Sequence, residues 1–280
     1  MSDIPVVENM KRKQALQAEL ERLFNKNQLM SRIRGEFINC EEFDFTKYCM
    51  AKGINPNFGI DLLAQMALHK RANIATLIGC LRHHFNDGQA TADQLLLAAE
   101  ADLVDWDGNL QVFIVKFEMS ADVQEELDRY QFPLPMVVKP KYVRHNLEVG
   151  YFNSKSSIIL RDNHTNDDVC LDHINRMNAI KLTINTTTAK MIKNKWRNLD
   201  KVKPGETRDD FERRKKAFEK YDRTSHAVMG LLTQEGNEFH LTHKYDKRGR
   251  TYCQGYHVNY QGNAWNKAVV EFFDKEVIPL

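Results

Sequence analysis

The chain has 280 residues, 40 Lys+Arg against 38 Asp+Glu, and 42% hydrophobic residues, the make-up of a globular protein with room for one large or two small domains. Its five cysteines (Cys40, Cys49, Cys80, Cys170, Cys253) form no CxxC pair, no apolar run approaches the ~18 residues of a membrane helix, and the N-terminus MSDIPVVENMKRKQ lacks an apolar signal core. These features argue against a disulfide scaffold, a membrane span, a secreted protein and wholesale disorder, and reduced thiols are expected. The net charge of +2 conceals an asymmetry: residues 1–140 carry −5 and residues 141–280 carry +7. Either one face meets a polyanion or the segregation is chance.

Residues 10–33 place Leu16, Leu20, Leu23 and Phe24 on one stripe at helical spacing, which predicts an amphipathic helix. A second helical block is expected from about Phe58 to His84. It carries Leu62, Leu63, Met66, Ala67, Ile74, Leu77, Ile78 and Leu81, with Asn55 or Asn57 as its start signal. The segment NDGQ (86–89) breaks it, and Thr91 opens a third helix through Ala99. Apolar residues flanking Asp107-Gly108 predict a hairpin near 103–117, because glycine tolerates the positive φ of a tight turn. Three prolines in 131–143 (QFPLPMVVKPKYV) predict an extended connector. Residues 169–195 read as helical despite β-branched residues at Thr183–Thr188, and 198–207, with Pro204-Gly205, as a loop. A charged helix over 207–232 follows. Thr207 caps it, Asp209 and Asp210 complement the helix dipole in its first turn, and Phe211, Phe218 and Tyr221 form its apolar stripe. The expected class is a mainly helical α+β fold.

The densest unusual chemistry lies at 240–273. Its centre, Asp246-Lys247-Arg248-Gly249-Arg250, sets three cations and one anion around a glycine, with Tyr252 close behind. Glycine lets the backbone approach a bulky partner. Arginine's planar fork suits phosphate oxygens and ribose hydroxyls. Tyr252 could stack on a base or pack on a sugar. The pattern describes a loop-to-strand element able to hold a nucleic-acid backbone, but basic loops with a glycine are also common surface features, and composition leaves both open.

The string DKRGRTY (246–252) closely resembles the DxRGRxY element, or T/DxxGR motif, of the phage-type single-subunit RNA polymerases. The following HVNYQGNAWNKAVVEFF (257–273) is similar to that family's Asn, Gly-containing turn, basic residue and apolar helix. Upstream, LPMVVKP (134–140), VGYF (149–152) and LDHINRMNAIKLTINTTTAKMI (171–192) resemble in order its connector, glycine-tyrosine turn and pre-thumb helix. The resemblance covers roughly residues 130–273 and is strongest at 240–273. It implies that Arg250 contacts the RNA–template hybrid near the growing 3′ end and that Tyr252 lies near the template strand. It also implies that Arg248, beside Gly249, sits by the hybrid backbone, that Lys267 matches a downstream lysine, and that Asp246 supports the loop through a basic partner. The 207–232 helix takes the place of a short thumb. Its cations Arg213, Arg214, Lys215, Lys216 and Lys220 would grip nucleic acid, Arg213 and Lys216 foremost, and a merely solvated helix is the rival reading.

Enzymes of this family hold two Mg2+ ions with two palm aspartates, which the resemblance places beyond the DxRGR element together with the fingers. The sequence given ends 30 residues past Arg250, has no His-Asp dipeptide and no fingers motif, and its Glu271, Asp274 and Glu276, read as lying in a terminal helix, lack the expected neighbours. The chain therefore resembles the smaller, N-terminal subunit of the split, heterodimeric DNA-directed RNA polymerases of Enquatrovirus-like phages, inactive alone. The resemblance implies no catalytic residue and no metal ligand here, with Mg2+ held mainly by a partner subunit that carries the fingers and palm aspartates. It further implies template DNA and nascent RNA as ligands, an accessory promoter-opening or single-strand-binding factor, no membrane, and the host bacterial cytoplasm during infection. On this reading 1–130 is an N-terminal helical domain, 131–195 a connector and helix, 196–239 a short thumb, and 240–280 the start of the palm. Trp265, Val269, Val270, Phe272, Phe273, Ile278 and Leu280 then face the partner or form the chain's own core. The alternative function is a stand-alone nucleic-acid-binding regulatory module derived from such an enzyme.

His240, His243, Cys253 and His257 are residue types that bind zinc. Their spacing is unusual and the polymerase pattern already accounts for the stretch, so no metal is expected there. His83-His84 reads as an ordinary pair. The sequons at Asn163 and Asn185 carry no meaning without a secretory route.

Overall fold

A computed structural model describes residues 4–162, 165–167, 169–196 and 198–276. Helices take about half of the chain and strands about a tenth, a mainly helical α+β fold. The chain divides into two compact units, one of Lys26–Leu127 and one of Met1–Asn25 with Asp128–Leu280. The helix expected over 10–33 is in fact two, α1 (Ile4–Leu23) and α2 (Lys26–Ile38), and the division falls at their junction. Charge follows the same division. Lys26–Leu127 holds 9 Lys+Arg against 15 Asp+Glu, a net of −6, and the rest holds 31 against 23, a net of +8.

In the acidic unit, α2 and α3 (Phe45–Ala51) pack on α4 (Pro56–His69). Helix α4 is buried nearly all round through Phe58, Ile60, Leu62, Leu63 and Met66, the pattern of a central helix. Asn55 starts it, its Oδ1 accepting from the N–H groups of Asn57 (2.9 Å) and Phe58 (3.3 Å). The expected continuous block to His84 is interrupted. Lys70 turns to φ 61°, β1 (Arg71–Asn73) pairs into a sheet, and Asn73 caps a new helix, α5 (Ile74–Leu81), by accepting from Thr76 N–H at 2.8 Å. A single 3-10 turn, Arg82–His84, follows. Asp87, not Thr91, starts α6 (Gly88–Glu100). The expected hairpin is present as β2 (Asp105–Asp107) and β3 (Val112–Ile114), paired antiparallel, and Asp107 Oδ1 accepts from Asn109 and Leu110 N–H at its turn, but the left-handed residue there is Gln111 (φ 53°) and not Gly108. Strand β1 pairs with the far edge of β3, giving the order β1-β3-β2. Helix α7 (Ala121–Tyr130) was not anticipated from the sequence.

In the basic unit, the segment after α7 is extended as its prolines dictate, and Met136 forms a bridge with His240. The helix expected over 169–195 is α8 (Leu171–Ala179), β4 (Leu182–Ile184) and α9 (Thr186–Met191). Its β-branched residues pair as a strand, and Asn185 caps the new helix through Thr188 N–H at 2.9 Å. Next come α10 (Arg208–Gln234), β5 (Thr242–Tyr245), β6 (Thr251–Gln254), α11 (Ala264–Val269) and β7 (Val270–Phe272). Strands β5 and β6 form a hairpin, and β4 pairs antiparallel with β7. One core joins Leu20 and Phe24 of α1 to Met136, Ile158, Ile174, Val228, Phe239 and Trp265.

The end of the sequence departs from expectation. Trp265, Val269 and Val270 belong to the chain's own core, while Phe272 and Phe273 are exposed. Glu271 lies on β7, not in a terminal helix, and Asp274 and Glu276 follow that strand. Ile278, Leu280 and Asn163 lie outside the described residues.

Candidate nucleic-acid interface

The hairpin β5–β6 projects residues 246–250 as its tip. Asp246 and Arg250 close the turn from both sides: Asp246 N–H donates to the Arg250 carbonyl at 2.9 Å, and Arg250 N–H donates to Asp246 Oδ1 at 3.0 Å. The same Oδ1 accepts from Arg248 N–H at 2.8 Å, and Oδ2 takes the Arg248 guanidinium at 3.3 Å. These bonds, the Arg250 backbone N–H foremost, lower the Asp246 pKa from the ordinary carboxylate value. Gly249 sits at φ 81°, the left-handed region that glycine enters without a Cβ penalty. The one anion is thus turned into the loop, while Lys247, Arg248 and Arg250 stay exposed. Tyr252, half-buried, stands opposite Lys244 on β6, and by strand alternation faces away from buried Cys253.

Under the tip lies a cavity of about 760 Å3 lined by Tyr245, His173, Cys170, Val169, Lys247 and Thr251 among others. Tyr245 is fixed there by donating from its backbone N–H to the Ile158 carbonyl and from its hydroxyl to the Cys170 carbonyl, each at 2.8 Å. His173 Nε2 lies 3.1 Å from Thr251 Oγ1. Sequence reasoning missed Tyr245 and His173, because only the tertiary fold brings α8 against β5.

The segment after the hairpin is knotted by amides. Asn259 Oδ1 accepts from Cys253 Sγ (2.8 Å) and Gln261 N–H (2.7 Å), and Asn266 Nδ2 donates to the Tyr221 hydroxyl of α10 at 2.8 Å. A side chain at Gly255 would collide with the Val258 carbonyl, so only glycine fits there. Lys267 of α11 lines a second cavity of about 600 Å3 with Lys195, Trp196, Lys203 and Arg214. Trp196 is wedged against Phe218 and Tyr221. Arg214 is held by Glu206, whose pKa that guanidinium pulls down to about 2. Lys195 and Lys203 gave no signal in the sequence beyond their charge.

The α10 cations differ in availability. Arg213 pairs with Asp210 at 2.9 Å, and Lys220 with buried Asp128 at 2.7 Å. Lys215 and Lys216 are exposed. Among the described residues, no hydrogen bond or ion pair joins Arg213 or Lys216 to the hairpin. The structure therefore gathers Asp246, Arg248, Gly249, Arg250 and Tyr252 in one element, and places Lys267, Arg213 and Lys216 on others.

The residues that could suggest zinc are separately tied. His243 Nδ1–H donates to Asn178 Oδ1 (2.9 Å) and its Nε2 accepts from Tyr260 (2.8 Å), while His240 Nδ1–H reaches the Asn178 carbonyl at 3.1 Å. His257 Nε2–H donates to the Asp128 carbonyl at 3.2 Å. Burial pushes the Cys253 thiol up to about 11, away from the thiolate a metal needs. Of the terminal carboxylates, Glu271 accepts from Asn185 Nδ2 (2.6 Å) and Lys275 Nζ (2.9 Å).

No family profile matches the chain. Over 170 residues, 52% of this chain, it is 25% identical to a protein of Agaricus bitorquis described as a probable DNA-directed RNA polymerase. The chain spans only 15% of that protein's length. The sequence relationship is to an RNA polymerase, and it extends over half of this chain.

Proposed function

We propose that the chain is the non-metal-binding subunit of a heterodimeric DNA-directed RNA polymerase, and that the 246–250 turn holds the RNA–DNA hybrid. The observation that carries this reading is the division of labour in the turn: Asp246 is spent on shaping the loop, and Lys247, Arg248 and Arg250 are left outward. A rigid turn of three cations meets successive phosphates without first losing its own conformational freedom. Tyr252 supplies a ring at the base of the same hairpin for the template strand. Lys267, with Lys195 and Lys203 around their shared cavity, and Lys216 and Arg213 on a thumb formed by α10 extend the basic surface. The similarity to a probable DNA-directed RNA polymerase supports the polymerase part of this reading.

In this reading the metal-binding carboxylates and the fingers belong to a partner subunit, which holds Mg2+. Template DNA and nascent RNA are the ligands, an accessory single-strand-binding factor assists promoter opening, and the setting is the cytoplasm of an infected bacterium. A second reading, a stand-alone nucleic-acid-binding module, is favoured by the burial of Trp265, Val269 and Val270 in the chain's own core.

The test has two arms. The purified chain is titrated with a labelled RNA–DNA hybrid, and RNA synthesis is measured with and without a co-expressed subunit carrying the palm aspartates. Hybrid binding that weakens in Arg250→Ala, with synthesis only from the pair, is expected. Hybrid binding insensitive to Arg250 removes the turn from the interface, and binding without any synthesis from the pair selects the stand-alone module.

A further inference from the structure

We propose that Asp61, His83 and His84, in the acidic unit, form a binding site for a divalent transition-metal ion, with Zn2+ the best match. This site is independent of the nucleic-acid interface. Among the described residues it is the one group of three His, Cys, Asp or Glu side chains whose ligand atoms all lie within 4.8 Å of one another.

Three ligand atoms converge on one point. His83 Nδ1 lies 3.1 Å from the Cys80 carbonyl, which can only accept, so that nitrogen carries the proton. Its Nε2 faces Asp61 Oδ2 at 3.7 Å. His84 Nε2 lies 2.7 Å from the same oxygen. The two rings are 4.2 Å apart, so both Nε2 atoms converge on that one oxygen. One divalent ion between the two Nε2 atoms and Oδ2 satisfies all three donors at once. Tetrahedral Zn2+ at about 2.0–2.1 Å sets its ligands about 3.3 Å apart, so one of the observed spacings opens slightly and the other closes.

The surroundings are those of a held site. Asp61 is buried on the central helix α4, and Arg34 Nη1 occupies its other oxygen at 3.0 Å, leaving Oδ2 as a single oriented ligand. The edge of Phe58 fixes the His84 ring from 5.7 Å. The carbonyl contact at Cys80 sets the tautomer of His83 that ligation requires. Two imidazoles and one carboxylate select Zn2+ or Co2+ over Mg2+ and Ca2+, which take oxygen ligands. His83 is largely exposed, which leaves a side open for water as the fourth ligand. The Arg34 charge and the missing fourth protein ligand make the site weaker than a closed structural zinc site. A bound ion would pin the 82–84 turn to α4.

The full chain, stripped with chelator and dialysed, is titrated with ZnCl2 by calorimetry and with CoCl2 by visible absorption. One ion per chain and tetrahedral Co2+ bands are expected. His83→Ala, whose ring is largely exposed, should lower Zn2+ affinity by at least about tenfold, and Asp61→Asn should do the same, while His145→Ala, at an exposed position of the other unit, leaves it unchanged. No uptake by the wild-type chain, or uptake undiminished in His83→Ala, overturns the proposal.

Discussion

Asp246 and Arg250 are joined by two hydrogen bonds that run in opposite directions, Asp246 N–H to the Arg250 carbonyl at 2.9 Å and Arg250 N–H to the Asp246 carboxylate at 3.0 Å, so the carboxylate fixes where the second arginine of the turn begins. The acid inside DKRGR is therefore part of the scaffold and not a neutraliser of the surface. Substituting Asp246 should weaken hybrid binding without touching the nucleic acid. Asp246→Ala should do so more than Asp246→Asn, which keeps an acceptor for the two N–H groups. Equal binding by both variants in an anisotropy titration would show that the loop holds its shape without the side chain.

On the proposed reading, removing Arg250 itself takes away one charged hydrogen bond to a phosphate. Such bonds contribute about 1.5–3 kcal/mol, so Arg250→Ala should lose very roughly tenfold to a hundredfold in hybrid affinity, with thermal stability unchanged. Gly249→Ala acts through the backbone alone, since nothing lies within 4 Å of the added methyl while φ is 81°. Its strain of about 1 kcal/mol should produce a smaller loss of binding than Arg250→Ala.

The α10 cations should separate into two classes. Lys216 is exposed, so Lys216→Ala should flatten the dependence of log affinity on log salt by about 0.7–0.9, one phosphate's share. Arg213 is already paired with Asp210, so Arg213→Ala should flatten it less. Lys220→Ala should leave the salt slope alone and lower the melting temperature, because it removes the ammonium paired at 2.7 Å with Asp128, which is only 5% exposed. The loss should be about 1–2 kcal/mol, below that of a fully buried pair because Lys220 remains 40% exposed. A changed salt slope in Lys220→Ala would transfer that residue to the interface.

Acid should destabilise the basic unit through its buried histidines. Burial, with a small push from His173, depresses His243 to about 4. Burial depresses His257 to about 4 beside Asp128 and Lys220, and lowers His240 as well. The unfolded rings take up protons near pH 6.5 and the folded ones do not, so stability is complete above about pH 6.5 and falls as pH drops towards 4. Each of His243 and His257 contributes on the order of 2–3 kcal/mol to that loss. Urea titrations at pH 7.5, 6 and 5 should show it, and His243→Gln should reduce the slope. A flat profile between pH 7 and 5 would mean that the rings are open to water.

Local chemistry was legible where the chain signals with its neighbours alone. The caps at Asn55 and Thr207, the Asp107 turn, the proline-held connector and the outward cations of DKRGR all depend on atoms a few residues apart, so periodicity and turn chemistry reach them. The tertiary structure decided the rest. The stripe Leu16–Phe24 gave no warning that the helix stops at Asn25, because Leu20 and Phe24 are buried by residues more than a hundred positions away. Leu182–Ile184 became a strand because β7 offers it a pairing edge, and Trp265 became core because α10 covers it. The meeting of Asp61 with His83 and His84 arises the same way: those residues lie 22 and 23 positions apart along the chain, and only a turn that folds back on α4 sets their donors around one point.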